Sequence, residues 1–125
     1  MLARPPTSSG AEALAGVNET IRRDVTVVIA AWRAAGTIGR AVASALAQPE
    51  AAEVVVVDDA SNDDGATLAA ARAADDGTGR LLILALDKNG GPSAARNAAI
   101  KASKAPWITI LDSDDYFEPG RLRGL

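Results

Sequence analysis

Asp112, Asp114 and Asp115 fall within four positions, directly after the apolar run Ile108–Leu111. Carboxylates this close repel one another, and a fold holds them more easily where a cation or the donors of a ligand meet them. The plain alternative is a solvated turn with a helix cap before Pro119. The chain has no cysteine and no histidine. Thiolate sites, zinc hydrolase chemistry and Ser-His-Asp chemistry are therefore excluded. A metal here would be held by oxygen, which points to Mg²⁺ or Mn²⁺. A second acidic pair, Asp58 and Asp59, ends the apolar run that starts near Glu53.

The elements that must bring these residues together alternate along the chain. Val25–Ala30 (VTVVIA) and Glu53–Asp59 (EVVVVDD) are short, β-branched and apolar throughout, the pattern of strands buried on both faces. Arg80–Leu86 and Pro106–Leu111 read as two further strands. Between the first two, Gly36 and Thr37 open a helix. Ile38, Ala41, Val42, Ala45 and Leu46 fall on one stripe of it, and Pro49 closes it. A second helix is expected over Ala66–Ala74, after the capping loop Ser61–Gly65 and before Gly77 and Gly79. A third begins at Pro92, suited to the first helical position, with Ala95, Ala98, Ala99 and Ala102 on one face.

The order βαβαβαβ predicts an α/β fold, a Rossmann-like parallel sheet with helices on both faces. Right-handed crossovers then place every strand's C-terminal end on one rim, where ligands of such sheets bind. Residues 31–33, 58–61, 87–91 and 112–115 share that rim. Trp107, opening the fourth strand, reads as core. Residues 1–23 read as a flexible leader with a short helix over Ala11–Ala15, and residues 24–125 as the folded unit.

The chain has 125 residues and a net charge of −3, against the basic face of a nucleic-acid binder. No apolar run approaches the ~20 residues of a membrane span, and the N-terminus lacks the apolar segment of a signal peptide. Hydrophobic residues make up 48% and aromatics only 3%, so alanine-rich helices should pack closely. The first strand is followed by AAWRAAG, with neither a G-x-G-x-x-G nor a G-x-x-x-x-G-K-[ST] loop. The glycine- and arginine-rich loop of a sugar nucleotidyltransferase is also absent. A diphosphate would then be neutralised by a cation on carboxylates rather than by a glycine cradle.

Four blocks together, VTVVIAAWRAAGTIGRAVASALAQ, EVVVVDDASND, NGGPSAARNAAI and WITILDSDDYFEPGRL, resemble the N-terminal half of a family 2 inverting glycosyltransferase of the GT-A fold. The match runs from about Val25 to Leu122 in the family's order, with a flavour of bacterial succinoglycan-type exopolysaccharide enzymes. It departs from the family at Ala30, where proline is usual, and at Trp32-Arg33, where Tyr-Asn is usual.

The resemblance implies roles residue by residue. Ala30 and Trp32 belong to the nucleotide subsite, Trp32 offering its ring to a base or else packing as core. Asp59 accepts the N3–H of uracil, while Asp58 orders the loop through Ser61 and Asn62; both could instead cap loop amides. Arg96, beside Asn97, reaches the aspartates or the base, or makes a surface salt bridge. Asp114 serves ribose and metal, with Asp112 and Asp115 beside it as metal ligands. Asn89, Gly90 and Gly91 shape a turn, with glycine supplying positive φ.

The implied reaction is transfer of a sugar from a UDP-sugar to a glycan or lipid-linked acceptor, by single displacement with inversion, dependent on Mn²⁺ or Mg²⁺. The general base is expected beyond Leu125, leaving these 125 residues inactive alone and prone to self-association through an open sheet edge. A cytoplasmic location is implied, at the inner face of a membrane through acceptor or partners. The rival readings are a non-catalytic nucleotide-binding or assembly fragment and, behind it, a sugar nucleotidyltransferase.

Overall fold

The computed structural model describes residues 2–3 and 23–123. Among the described residues, eight elements follow in chain order: β1 Leu2–Ala3, β2 Val25–Ala31, α1 Ile38–Leu46, β3 Ala51–Asp58, α2 Ala66–Ala73, β4 Leu81–Ala85, α3 Gly91–Ala102 and β5 Trp107–Ile110. Each lies where the sequence pattern puts it, apart from β1 and shifts of one or two residues at the ends. The expected leader falls outside the described residues except for Arg23 and β1.

The sheet order is β1-β5-β2-β3-β4. β2 pairs in parallel with both β3 and β5, and β3 with β4, whereas β1 pairs antiparallel with β5, Leu2 opposite Ile108 and Ala3 opposite Trp107. The chain builds outward from β2 to β4, then crosses back to place β5 on the other side of β2. That reversal of direction between β2 and β5 opens a crevice at their C-terminal ends.

The valine runs explain why β2 and β3 are central. Val27, Val28 and Ile29, and Val54 to Val57, are wholly buried, as strands covered on both faces require. Each such side chain contributes about 1.5–3 kcal/mol on burial. Val27, Ile29, Val54 and Val56 meet Ile38, Ala41, Val42, Ala45 and Ala71 of α1 and α2. Val28, Val55, Val57 and Ile108 meet Ala95 and Ala99 of α3 on the other face. Alanine at the α3 contact lets that helix approach closely.

Arg80 ties the end of α1 to the start of β3 and β4. Its guanidinium donates to the carbonyls of Leu46 (2.6 Å) and Ala51 (2.9 Å) and pairs with Asp76 at 3.1 Å. The last carbonyls of a helix have no intrahelical donor, and a cation near them is favourable.

Trp107 corrects the sequence reading. It is 39% exposed rather than core, because β5 lies toward the sheet's edge and only the two-residue β1 flanks it. Ile110 at 44% and Leu82 at 39% are likewise exposed.

Candidate functional site: a cavity at the carboxyl ends of the strands

A cavity of about 730 Å³ opens above the β2–β5 crevice, lined by residues 30–34, Thr37, Asp59, Asn89, Gly91, Pro92, Ala95, Arg96 and residues 112–114. The sequence-predicted residues Ala30, Trp32, Asp59, Arg96, Asp112 and Asp114 therefore share one space. Asp115 and Asn97 are not among its walls. The Asp115 carboxylate turns back along the chain and accepts the Tyr116 amide at 2.8 Å.

β2 ends in Ala31, and the chain leaves it through Trp32 and Arg33. Trp32 is 52% exposed, so it is a wall of the cavity and not a core residue. Arg33 lies across its ring, with Cζ 4.9 Å from the centroid, a cation–π contact that fixes the indole's orientation. Arg33 is in turn held by Ser61: its amide donates to Ser61 Oγ at 2.8 Å and its Nε to the Ser61 carbonyl at 2.9 Å. Arg33 takes φ 49, and Ala60 and Asn62 are also left-handed at 56 and 51. Non-glycine residues held so beside a cavity mark a backbone that its surroundings over-determine.

Asp58 and Asp59 divide their work. Asp58 Oδ1 accepts the Ser61 hydroxyl, the loop-ordering role expected of it. Asp59 lies just past the end of β3, 3% exposed, and its two oxygens receive the amides of Gly90 at 2.8 Å and Gly91 at 2.9 Å. Asn89 Nδ2 donates to the Asp59 carbonyl at 3.1 Å. Asp59 thus anchors the 89–91 loop, and each oxygen keeps a further lone pair. Gly91 supplies the positive φ, 88. Gly90 does not; a Cβ there would stand 2.8 Å from that of Ala94, so glycine is required by space.

A third tie steadies the β2–α1 turn. The Ala34 amide donates to Thr67 Oγ1 at 3.0 Å, and that hydroxyl donates to Asp63 Oδ2 at 2.6 Å. The Thr67 hydrogen bond holds the Asp63 carboxyl below its usual range.

Arg96 reaches from the second turn of α3 toward Asp112. Its Nη2 lies 3.7 Å from Asp112 Oδ1, a loose pair beyond hydrogen-bond length. Among the described residues its buried Nε has no hydrogen-bond partner. Arg40 of α1 sits over the Tyr116 ring at 4.4 Å. Arg40 was not singled out from the sequence, where it reads as one more polar position of an amphipathic helix.

The carboxylate pair suits a hard divalent cation. Asp112 and Asp114 border the same space with exposed side chains, and magnesium is commonly held by one or two carboxylates plus substrate phosphates. Among the described residues no group of three or more acidic side chains is gathered as a complete cage. Of the three carboxylates expected at the metal, two border the cavity.

Residues 26–125 match the family described as Glycosyl transferase family 2. The chain belongs to this family. The α/β sheet agrees with that membership. The succinoglycan biosynthesis protein ExoU of Rhizobium meliloti (strain 1021) is 63% identical over 99 residues, 79% of this chain and 28% of that protein. The chain thus spans under a third of that relative's length. Among solved structures, a mannosyltransferase from Pyrobaculum calidifontis in complex with GDP-Man and Mn²⁺ superposes with TM-score 0.69 and 29% identity, over 82% of this chain and 30% of that one. S. aureus TarS 1–349 in complex with UDP-GlcNAc gives TM-score 0.66 and 28% identity, over 80% and 29%.

Proposed function

We propose that this chain is the donor-binding half of a family 2 glycosyltransferase that moves a sugar from a UDP-sugar to a glycan or lipid-linked acceptor in bacterial polysaccharide synthesis. One observation carries the reading: a single cavity is lined by an exposed indole, two exposed carboxylates and the guanidinium-bearing Arg96. A nucleoside diphosphate carries groups to meet these, an aromatic base and charged phosphates. Likeness to ExoU supports the polymer class, and the TarS complex supports UDP as the nucleotide.

Trp32 offers its ring to the base; stacking on an aromatic is worth ~1–3 kcal/mol in nucleic-acid sites. Asp59, holding the 89–91 loop, shapes the adjoining wall, and a remaining lone pair accepts the imide proton of uracil. Arg96, which lines the cavity, donates from its guanidinium to a ligand oxygen. Asp112 and Asp114 would hold the Mn²⁺ or Mg²⁺. A divalent cation there supplies the positive charge that stabilises a departing diphosphate. Transfer goes by single displacement with inversion, its base lying in the acceptor-binding part of the longer family members.

Among the described residues no helix is long and apolar enough to cross a membrane. The reading places the chain in the cytoplasm, at the inner face of the membrane through its acceptor. Exposed Leu82, Trp107 and Ile110 favour self-association of these 125 residues.

The deciding experiment is a calorimetric titration with UDP, GDP and CDP, each with Mn²⁺ and with chelator. UDP should bind most tightly, and more tightly with metal. Equal, metal-independent binding of all three would sink the reading, and no binding at all would favour a fragment that only folds and assembles.

A further inference from the structure

The segment that leaves the aspartates does not hang free. It runs along α1, and polar residues of that helix and of the turn that follows it hold the segment. Arg40 and Ser44 are four apart on α1, the interval that places side chains on one face, and Gln48 follows just past the helix end. They meet the segment in chain order. Arg40 lies over Tyr116, and its Nη2 is 3.4 Å from the Asp114 carbonyl. Ser44 Oγ accepts the Phe117 amide at 2.9 Å. Gln48 Nε2 donates to the Glu118 carbonyl at 2.9 Å, and its Oε1 accepts the Leu122 amide at 3.0 Å.

Gln48 is the strongest member. It is 1% exposed although polar, and both ends of its amide are satisfied by backbone groups on the two sides of one turn. Leu122, anchored by it, is 2% exposed and part of the α1-side core. Upstream, the Leu111 amide donates to the Val28 carbonyl at 2.9 Å. Residues 112–116 are therefore a short span fixed at both ends, by β2 before it and by α1 after it. A carboxylate pair that must meet a cation in one geometry needs such fixed ends.

We propose that Gln48 is a positioning residue: acting through the 117–122 backbone, it sets where Asp112 and Asp114 stand in the cavity. The inference rests on the donor-site reading above. Gln48 is not among the cavity walls, so its loss should loosen the carboxylates without altering the base subsite.

The test uses the 125-residue chain and Gln48→Met, which keeps much of the volume and removes both hydrogen bonds. Hydrogen exchange is followed at the amides of residues 112–117 and of β2 and β3, and UDP is titrated with Mn²⁺ and with chelator. Leu81→Ala on β4, away from the segment, serves as a destabilised control. Exchange at 112–117 should quicken about tenfold while β2 and β3 change less, the scale expected for losing buried hydrogen bonds. UDP affinity should fall about tenfold with Mn²⁺ and stay at the parent's value with chelator. Leu81→Ala should lower the melting temperature and leave the ratio of the two affinities at the parent's. Should Gln48→Met not fold, Ser44→Ala is expected to give the same pattern, smaller. Unchanged exchange at 112–117, or a parental ratio in the folded variant, overturns the proposal. A parent chain with no metal dependence in UDP binding overturns the donor-site reading, and with it the role in placing a metal, whatever the exchange shows.

Discussion

Asp59 and Gly91, 32 positions apart, are joined by a 2.9 Å hydrogen bond from the glycine amide to the carboxylate. The Gly90 amide lies beside it on the other oxygen. The carboxylate at the end of β3 thereby sets the loop that opens α3, and α3 carries Arg96 to the cavity. Asp59→Ala leaves two loop amides without their acceptor. Hydrogen bonds to a charged group are worth ~1.5–3 kcal/mol each, so the variant should lose about 3 kcal/mol in denaturant unfolding. It should also weaken UDP equally with and without Mn²⁺. A parental unfolding midpoint would show the two bonds to be idle.

Gly91→Ala tests the same loop from its other side. A Cβ there meets nothing within 4 Å, but φ is +88, a conformation that costs an L-residue about 1–2 kcal/mol. Chemical denaturation should show a loss of that size without a change in slope. An unaltered midpoint would mean that the loop adopts another backbone at no cost.

Asp114→Ala addresses the metal. If the carboxylates hold a cation that bridges a diphosphate, metal and nucleotide affinities must be linked, typically by ~1–3 kcal/mol and reciprocally. The variant should bind UDP more weakly in Mn²⁺ and as the parent does in chelator. It should fold normally, since removing one of three neighbouring carboxylates relieves repulsion. Identical binding to the parent under both conditions would return residues 112–115 to the reading of a solvated turn.

The Thr67–Asp63 contact gives a pH dependence. Asp63 is held below its ordinary value of 3.8, chiefly by the Thr67 hydroxyl. A depressed folded value means that the contact stabilises fully above 3.8 and is lost as pH falls through the lowered value. An NMR titration should place the Asp63 midpoint below 3.8 in the parent. In Thr67→Val the midpoint should rise toward 3.8 and the acid limb of unfolding should flatten. An unshifted midpoint in the variant would assign the depression to the neighbouring amides instead.

Much of the site was legible because its residues sit at strand ends. Any βαβ reading sends residues 31–33, 58–59 and 112–114 to one rim, and all three segments carry a residue of the cavity wall. What each carboxylate does there was not legible. Asp58 and Asp59 are the same residue type in adjacent positions, and their partners, Ser61 and the Gly90–Gly91 amides, are chosen by where the backbone turns. Asp115 shared the same motif yet faces Tyr116 and not the cavity. Gln48 gave no signal at all: a glutamine before a proline reads as a helix end, and its partners lie 70 and 74 positions away.

By itself the sequence determined the elements and the chemical inventory. Valine runs with no polar alternation can only be strands buried on two faces. The stripe from Ile38 to Leu46 can bury itself only as a helix, and a chain without histidine or cysteine can offer a metal little but oxygen. These are properties of composition and of periods a few residues long, so they survive without knowledge of neighbours. Tertiary structure alone decided the order β5-β2-β3-β4. The same βαβαβαβ pattern is compatible with β5 beside β4, which would carry the aspartates away from Trp32. With β5 beside β2, the two segments flank one crevice. It likewise decided that Trp107 is exposed on a strand near the edge and that Trp32 walls a cavity. Pairing and burial of this kind depend on contacts between residues far apart in the chain, where no local pattern reaches.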